Sequence, residues 1–120
     1  MPWKRDDLLP ASGFLGWVAE VDDAGLVGYV CVGAVGDQAE ILILGVNPDH
    51  RKQGIAFSLL SEVRDVLKAR GIRNLFLEVR QLNEAAAALY RKAGFTETGL
   101  RKGYYADTGE NARLLRLELS

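Results

Sequence analysis

The stretch that decides the fold is GVNPDHRKQGIAFSLL, residues 45–60, in which a strand pattern ends and a helical pattern begins. Upstream, the run ILILGV over residues 41–46 has the continuous apolar character of a buried strand. Downstream of Gly54, apolar residues recur with the spacing of one helix face. Because Arg51 and Lys52 lie at the junction, the sequence predicts a strand-to-helix turn that can receive an anion.

The predicted helix start offers backbone chemistry of its own. The first amide N–H groups of a helix lack intrahelical partners, and the helix dipole adds partial positive charge there. Gly54 lets a ligand approach the backbone closely, and Ala56 keeps the next turn narrow. The lysine–serine pair of a Walker loop is absent, which disfavours phosphoryl transfer from a magnesium nucleotide. An ordinary helix start with exposed basic residues remains the alternative for this segment taken by itself.

Composition narrows the classes of function. The chain of 120 residues has the size of one domain, and its net charge of −1 gives no reason to expect nucleic acid or an anionic membrane as a partner. A single cysteine excludes an internal disulfide, and with a single histidine it argues against a metal site. No apolar run approaches the length of a membrane span, and no secretory leader pattern opens the sequence, so we expect a cytoplasmic protein.

The first half of the chain is rich in strand patterns. Residues 1–16 carry two prolines and no sustained period, so we expect an irregular arm followed by a single domain over residues 17–120. Residues 16–21, 26–35 and 39–46 have strand patterns separated by tight turns, which predicts an antiparallel meander. The third of these runs is apolar at successive positions, which predicts a central strand covered on both faces.

The second half alternates helices and strands. A helix is expected from residue 55 to a glycine stop at Gly71, followed by a strand over residues 73–79. Asn83 is a plausible N-cap for a second helix that Gly94 ends. Two last strands, residues 95–101 and 112–119, are joined by a loop. The order β-β-β-α-β-α-β-β predicts a mixed α/β domain of the α+β kind, with one mostly antiparallel sheet flanked by helices.

A second constellation lies in LEVRQLNEAAAALYRKAGF, residues 77–95. Glu78 shares a strand face with an aromatic residue, and Tyr90 lies two turns into the next helix, so the two form a candidate acid–base pair. The alternative is a solvated edge carboxylate and a tyrosine that packs in the core. His50, in a polar loop, is interpreted as exposed, and Cys31, inside an apolar strand, as a small core residue rather than a nucleophile.

Together these residues resemble a known family, the GNAT N-acetyltransferases. The family's acetyl-coenzyme A motif, V-x-P-x-x-[RQ]-x-x-G-x-[GA], is matched in order by five residues: Val46, Pro48, Arg51, Gly54 and Ala56. Residues 77–95 are similar to the next motif, a strand followed by Asn, Leu-Tyr and Gly-Phe. The tail from residue 100, with its Tyr-Tyr pair, resembles the branch that acetylates the N-terminal alanine of a ribosomal protein. The resemblance covers about residues 17–119.

The resemblance implies a binding mode for acetyl-CoA on residues 17–120. The pyrophosphate would be held by the amides of Lys52, Gln53, Gly54, Ile55 and Ala56, with the Arg51 side chain nearby. Backbone groups of Leu44 and Val46 would pair with the pantetheine arm like an added strand, and the Val46 amide would polarise the thioester carbonyl. Asn83 would contact the amide arm of the cosubstrate, and Tyr90 would lie beside its sulfur.

The resemblance also implies a reaction, the direct attack of an amine on the thioester in a ternary complex. Glu78 occupies the position of the catalytic glutamate in the resembling branch, and Tyr90 would protonate the departing thiolate. An α-amine with a pKa of about 8 is partly neutral near pH 7, so a modest base suffices. Neither a metal nor a covalent enzyme intermediate is required, because the thioester is already activated.

The acceptor is where the sequence leaves alternatives open. A protein or peptide N-terminal amine is the first expectation, and a small-molecule amine or a lysine side chain is the second. A non-catalytic acyl-CoA-binding sensor or partner subunit is the third. Sixteen residues before Trp17 are too few for the first strand and the helices that line the acceptor side in the family. We therefore expect those elements to be missing, with the acceptor wall reduced, supplied by another subunit, or absent because the chain is a shortened form. The apolar surface exposed by their loss predicts a homodimer.

Overall fold

The computed structural model describes residues 3–6, 14–21, 25–46 and 54–119. Seven strands and two helices are formed by these residues, and their bounds are β1 Trp3–Asp6, β2 Phe14–Val21, β3 Gly25–Val35, β4 Gln38–Val46, α1 Ile55–Ala69, β5 Asn74–Arg80, α2 Glu84–Lys92, β6 Thr96–Tyr105 and β7 Glu110–Glu118. Neither described helix is long and apolar enough to cross a membrane.

All seven strands belong to one sheet with the order β1-β2-β3-β4-β5-β7-β6. Its neighbours are antiparallel except for β4 and β5, which are parallel. The predicted meander of β2, β3 and β4 is therefore confirmed, as is the mixed and mostly antiparallel sheet with two helices. The parallel pair is joined through α1, as a crossover connection requires.

The predicted irregular arm over residues 1–16 is corrected in two places. Residues Trp3–Asp6 form β1, which pairs antiparallel with β2 from Trp3↔Ala19 to Asp6↔Gly16, and β2 itself begins at Phe14 rather than at residue 16. The expectation that no first strand precedes the meander is therefore wrong. Pairing with an adjacent strand supplies backbone hydrogen bonds that a local sequence pattern does not reveal. Residues 7–13 lie outside the described part of the chain.

Helix α1 follows from the periodicity after Gly54. Ile55, Leu59, Leu60, Val63 and Leu67 are its buried residues, and they lie on one face at the i, i+4 and i+3 spacing of a helix. The helix ends before Gly71, whose φ of +84° is the left-handed conformation that glycine adopts without penalty. The predicted extent of this helix is confirmed.

Helix α2 begins where the sequence places a cap. The Asn83 side chain accepts a hydrogen bond from the Ala86 amide at 3.1 Å, so it satisfies one of the free N–H groups of the first turn. Arg113 of β7 donates to Glu84 at 2.7 Å and ties the start of the helix to the sheet. Gly94 follows the helix at a φ of +102°, as its predicted stop position requires.

Both helices cover the same face of the sheet. Their buried residues join Val30, Leu75, Leu77 and Leu115 in one hydrophobic cluster. Gly28 of β3 allows the helix to approach, because a Cβ atom placed there would lie 3.1 Å from Ile55 Cγ2. The strand residues that alternate with this core point to the opposite face, which we call the open face.

The open face corrects the prediction that β4 is covered on both sides. The pairing of β3 with β4 shifts between Cys31 and Val32, so Leu42 is the additional residue of a β-bulge. Leu42 and Ile43 are 47% and 53% exposed, although both lie within the apolar run. The apolar composition of β4 therefore does not correspond to burial on both faces. The half-buried Cys31 lies beside this bulge in β3.

Strands β6 and β7 extend further than predicted. They pair through Tyr105↔Glu110, so the turn between them is limited to residues 106–109. Their register shifts between Arg101 and Tyr105, where three residues of β6 oppose Asn111 of β7. We call residues 102–104 the β6 bulge. The Tyr-Tyr pair, Tyr104 and Tyr105, therefore lies on strand β6, where the sequence predicted a loop.

Candidate functional site

A cleft of about 660 Å³ lies on the helix-covered side of the sheet, and we call it the helix-side cleft. Three elements form it: the end of β4, the start of α1 and the length of α2. Its lining comprises Leu44, Gly45, Val46, Gly54, Ile55, Ala56, Phe57, Asn83, Ala85, Ala86, Leu89, Tyr90 and Lys92. The cleft is mostly apolar and has polar groups at its ends, which is the usual character of a small-molecule site.

The start of α1 forms the end of the cleft that suits an anion. Gly54 has a φ of +74°, and a Cβ atom added there would meet no heavy atom within 4 Å, so a ligand can approach its backbone. Gly54 provides no side-chain cap, and the first turn contains no acidic residue. The amide N–H groups of this turn therefore point toward the cleft with the positive end of the helix dipole.

A gap between β4 and β5 borders the cleft. The two strands pair only from Gln38↔Asn74 to Glu40↔Phe76, and beyond these residues β4 continues to Val46 while β5 continues to Arg80. In the described part of the chain, the edge of β4 that faces β5 has no strand partner after Glu40. An extended polar chain can pair with that edge in the manner of an added strand.

Lys92 adds a positive charge to the cleft that the sequence did not indicate. Its ammonium group lies 5.2 Å from the centre of the Phe57 ring, so the last turn of α2 meets the first turn of α1. An ammonium group over an aromatic face is held by a cation–π interaction. The arrangement places this charge at the same end of the cleft as Gly54.

Tyr90 lies deep in the helix-side cleft. Only 9% of the residue is exposed, and its ring packs edge to face against Phe95 with a centroid distance of 5.6 Å. Burial raises the pKa of the Tyr90 phenol above its usual range, and the nearby Tyr105 adds to this effect. Tyr90 therefore stays protonated at neutral pH and can act as a proton donor.

A second cleft of about 580 Å³ lies on the open face. Glu78 lines this open-face cleft, together with Gly33, Ala34, Val35, Gln38, Ala39, Glu40, Leu42, Phe76, Leu77, Thr98, Leu114 and Leu115. The two clefts lie on opposite faces, and the gap between β4 and β5 separates them. Glu78 and Tyr90 therefore approach that gap from opposite sides of the sheet.

Glu78 is held by two partners on β6. Arg101 Nη1 donates to Glu78 Oε1 at 3.2 Å, and the Arg101 guanidinium carbon lies 4.7 Å from the centre of the Tyr104 ring. The nearby Glu78 carboxylate raises the pKa of the Tyr104 phenol, first through hydrogen bonding and then through its charge. The side chain of Glu78 is 19% exposed, so its carboxylate remains accessible from the open-face cleft.

Tyr105 connects the two candidate catalytic residues. Its ring meets that of Tyr104 edge to face with a centroid distance of 5.0 Å, and the Arg80 guanidinium carbon lies 4.1 Å from its centre. Burial first and then the charge of Glu78 raise the pKa of Tyr105, while Tyr105 contributes to the raised pKa of Tyr90. Tyr105 is therefore an electrostatic neighbour of both Glu78 and Tyr90.

The structure divides the predicted site residues into three groups. Seven of them line the helix-side cleft: Leu44, Val46, Gly54, Ile55, Ala56, Asn83 and Tyr90. Glu78 lies on the other side of the sheet. Three predicted phosphate ligands, Arg51, Lys52 and Gln53, lie outside the described residues, as does His50.

Several residues near the site were not predicted from the sequence. Arg80 could have been placed beside Glu78, because residues two apart in a strand share a face. Arg101 and Tyr104 could not be placed beside Glu78, because the β6 bulge interrupts the alternation of side chains along the strand. Lys92 lies one helical turn beyond Leu89 and therefore on the same side of α2, next to the cleft. Nothing in the sequence indicates its contact with Phe57.

Comparison with known protein families gives a match to the acetyltransferase (GNAT) family over residues 2–95. A putative ribosomal protein bS18-alanine N-acetyltransferase of Bacillus subtilis (strain 168) is 32% identical, over 95% of this chain and 78% of the relative. The ribosomal protein bS18-alanine N-acetyltransferase of Escherichia coli (strain K12) is 41% identical over 70% of this chain. That alignment spans 58% of the E. coli protein's length.

Solved structures show the same similarity in three dimensions. The crystal structure of the ribosomal-protein-S18-alanine N-acetyltransferase from Escherichia coli superposes with a TM-score of 0.83 and 34% identity, over 90% of this chain and 70% of the other. Nourseothricin acetyltransferase superposes with a TM-score of 0.85 and 30% identity, over 92% of this chain and 68% of the other.

Proposed function

Because the chain belongs to the GNAT acetyltransferase family, we propose that it transfers an acetyl group from acetyl-CoA to a primary amine, most readily the N-terminal amine of a protein or peptide. The observation that carries the proposal is the helix-side cleft, which unites a helix start without a side-chain cap, a free strand edge and a buried phenol. A protein acceptor is supported by the relatives named as ribosomal protein bS18-alanine N-acetyltransferases.

The end of the helix-side cleft at the start of α1 suits the pyrophosphate of acetyl-CoA. The pyrophosphate would lie on the amides of Gly54, Ile55 and Ala56, where the helix dipole favours negative charge. Lys92 adds positive charge at the same end of the cleft, because its ammonium group lies over Phe57. We propose that Arg51, Lys52 and Gln53 complete the phosphate contacts.

The free edge of β4 suits the pantetheine arm, whose amides can pair as a strand would. Leu44 and Val46 line the cleft at this edge, so their backbone groups would bind the arm and direct the thioester into the gap. The Val46 N–H would then donate to the thioester oxygen and stabilise the charge that develops there. The Asn83 side chain would bind an amide of the arm in addition to capping α2.

The acceptor would approach from the open face. Glu78 lines that cleft and would accept a proton from the attacking amine, directly or through a water molecule. Tyr90, which like any phenol of ordinary or raised pKa is protonated at neutral pH, would give a proton to the thiolate that leaves on the other side of the gap. The amine thus attacks the thioester directly in a ternary complex, and no group of the protein becomes acetylated.

The first test of this proposal is binding. Acetyl-CoA should raise the melting temperature, by an amount equivalent to about 2.7 kcal/mol when present at 100 times its Kd, whereas acetate should not. Ala56→Glu should abolish the shift, since the new carboxylate meets the phosphates, yet should leave the free protein folded because an acidic first turn suits the helix dipole.

The matched control for Ala56→Glu is Ala88→Glu, which places the same charge on an exposed position of α2 that does not line the cleft. It should retain the shift. If the wild-type protein shows no shift at millimolar acetyl-CoA, the transferase proposal and the acyl-CoA-sensor alternative both fail. A shift without turnover on any amine would favour the sensor.

The second test identifies the acceptor through free-thiol release. A panel of short peptides with different first residues should give turnover, and the same peptides with a blocked α-amine should give none. A small-molecule amine is the second candidate acceptor, because the similarity to nourseothricin acetyltransferase extends over 92% of the chain. Turnover with small amines or with Nα-blocked lysine peptides, and none with free peptide N-termini, would contradict the protein acceptor.

Two further features remain part of the proposal. A cytoplasmic location would match an acceptor on a ribosomal protein, the substrate for which the relatives are named. A homodimer stays a prediction. The exposed apolar side chains of the open face, Tyr29, Leu42 and Ile43 among them, are what such a contact would bury. A monomeric mass by light scattering at working concentration would contradict it.

A further inference from the structure

Two sets of polar contacts, which we call fastenings, join the β6–β7 hairpin to the end of β5 and the turn after it. Arg80 forms a two-point ion pair with Asp107, through Nη1–Oδ1 at 3.3 Å and Nη2–Oδ2 at 3.0 Å. The same guanidinium lies 3.6 Å from Glu110 and carries the Tyr105 ring at 4.1 Å. Glu110 in turn accepts from the Leu82 amide at 2.8 Å. A bidentate arginine–carboxylate pair is geometrically specific as well as strong.

Asn111 makes a second fastening at the β6 bulge. Its Oδ1 accepts from the Gly103 amide at 2.9 Å, and its Nδ2 donates to Gln81 Oε1 at 2.9 Å. The Gln81 amide donates to the Asn111 carbonyl at 2.9 Å. Gly103 has a φ of +62°, so the bulge requires a conformation that other residues rarely adopt. One side chain therefore joins the bulge of β6 to the turn that follows β5.

Both fastenings act on Tyr104, whose ring lies under the Arg101 guanidinium that binds Glu78. Tyr104 is the last residue of the β6 bulge, between Gly103, which Asn111 binds, and Tyr105, which Arg80 supports. A bulge beside an active site commonly redirects a side chain. Without the bulge, alternation along β6 would turn Tyr104 away from the Glu78 carboxylate.

We propose that Arg80 and Asn111 are positioning residues for acetyl transfer, which hold the β6 bulge against the end of β5 and thereby hold Tyr104 beneath the Arg101 guanidinium that binds Glu78. The inference rests on the proposed function in that Glu78 is taken as the acceptor-side base. Neither residue lines the helix-side cleft, so acetyl-CoA binding does not depend on them. Their effect is confined to the alignment of the amine acceptor with Glu78.

The kinetic test uses Arg80→Gln, Asn111→Ala and the double variant. Each single substitution should lower kcat/KM for the amine acceptor by about tenfold, on the order of one hydrogen bond to a charged group, with the Kd of acetyl-CoA unchanged. The double variant should lose less than the product of the single losses, because both act through one bulge. Arg64→Gln, which removes an exposed ion pair with Asp65 on α1, is the control and should change neither quantity.

A second readout does not need turnover. The hydrogen bond to Glu78 raises the pKa of Tyr104, while Arg101 lowers it and Tyr105 raises it slightly. Releasing the bulge should therefore bring the titration of the Tyr104 ring, followed by carbon NMR and assigned with Tyr104→Phe, down toward its ordinary value. Glu78→Gln should lower it in the same way, whereas Arg64→Gln should not.

The outcomes separate this inference from the proposed function. If the wild-type protein turns over and the variants leave acceptor kinetics unchanged, or weaken acetyl-CoA binding by the same factor, the positioning role is wrong. If the wild-type protein accepts no amine, the proposed function fails, and the titration of Tyr104 still decides whether Arg80 and Asn111 hold it. An unmoved titration in both variants overturns the inference.

Discussion

The helix-covered face and the open face of the sheet hold their functional groups by different means. On the covered face, Tyr90 and the start of α1 are fixed by the hydrophobic core, in which Ile55 and Leu59 are 1% and 0% exposed. On the open face, Glu78 is held by a hydrogen bond from Arg101, which lies over the Tyr104 ring, and both of these side chains are exposed. Packing against a core restricts a side chain to one arrangement, whereas solvent competes for each polar contact.

This contrast indicates that the two faces of the sheet would have different roles in the reaction. The donor side, where acetyl-CoA would bind, is built mostly from backbone groups and buried residues, which tolerate little change. The acceptor side, where the amine would approach, would be built from side chains on β5 and β6 that can be exchanged without disturbing the core. A family that keeps one donor and varies its acceptors is suited to this arrangement, because acceptor selectivity can change while the donor site stays intact.

The largest expected effect comes from the covered face. Tyr90→Phe keeps the packing against Phe95 but removes the proton donor, so kcat should fall about 10²- to 10⁴-fold. The Kd of acetyl-CoA, measured by calorimetry, should stay within about twofold because no packing contact is lost. Tyr29→Phe, which alters an exposed phenol, is the control. Unchanged turnover in Tyr90→Phe would remove Tyr90 from its assigned role.

The corresponding change on the open face is Glu78→Gln, for which we expect a loss in kcat/KM of about 10²-fold at pH 7. The loss should shrink between pH 7 and pH 9, because an α-amine with a pKa of about 8 becomes neutral without a base. Glu118→Gln removes another exposed carboxylate that is paired with an arginine, and should have no effect. A loss that stays constant with pH would contradict a base role for Glu78.

A smaller effect tests how closely α1 must approach the sheet. Gly28→Ala places a Cβ atom 3.1 Å from Ile55 and 3.3 Å from Leu59, whereas Gly99→Ala places one in ordinary contact at 3.6 Å from Leu114. We expect Gly28→Ala to cost about 1 kcal/mol, or roughly 4 °C in melting temperature, and to weaken acetyl-CoA binding. Equal melting temperatures for the two variants would show that α1 adjusts without strain.

The smallest effect separates two roles of Asn83. Asn83→Ala should cost about 1 kcal/mol of stability because the cap to the Ala86 amide is lost, while Asn83→Ser should retain most of that cap. Both variants should weaken acetyl-CoA binding if the amide of Asn83 also contacts the pantetheine arm. Thermal unfolding and calorimetry on the two variants give the comparison. Full affinity in Asn83→Ser would leave Asn83 as a cap and nothing more.

Much of the fold could be predicted because its signals are local. The spacing of apolar residues fixed α1, a glycine with positive φ ended it, and Asn83 marked the start of α2. Strand β1 and the extension of β6 could not be predicted, because their hydrogen bonds come from neighbouring strands rather than from their own sequence. The exposure of Leu42 was missed because the continuous apolar run of β4 predicted burial on both faces, and the bulge that leaves Leu42 unpaired has no local sequence signal.

By itself, the sequence determined that a strand is followed by a helix that begins after Gly54. It also determined that an asparagine caps the next helix and that this helix carries a tyrosine. Those features depend on residues a few positions apart, which interact whatever the rest of the chain does. Only the tertiary structure decided that Glu78 and Tyr90 approach one gap from opposite faces, and that Glu78 meets Arg101, 23 residues away. Contacts across the sheet depend on strand order and on the two extra residues of the β6 bulge, and neither is encoded in a local pattern.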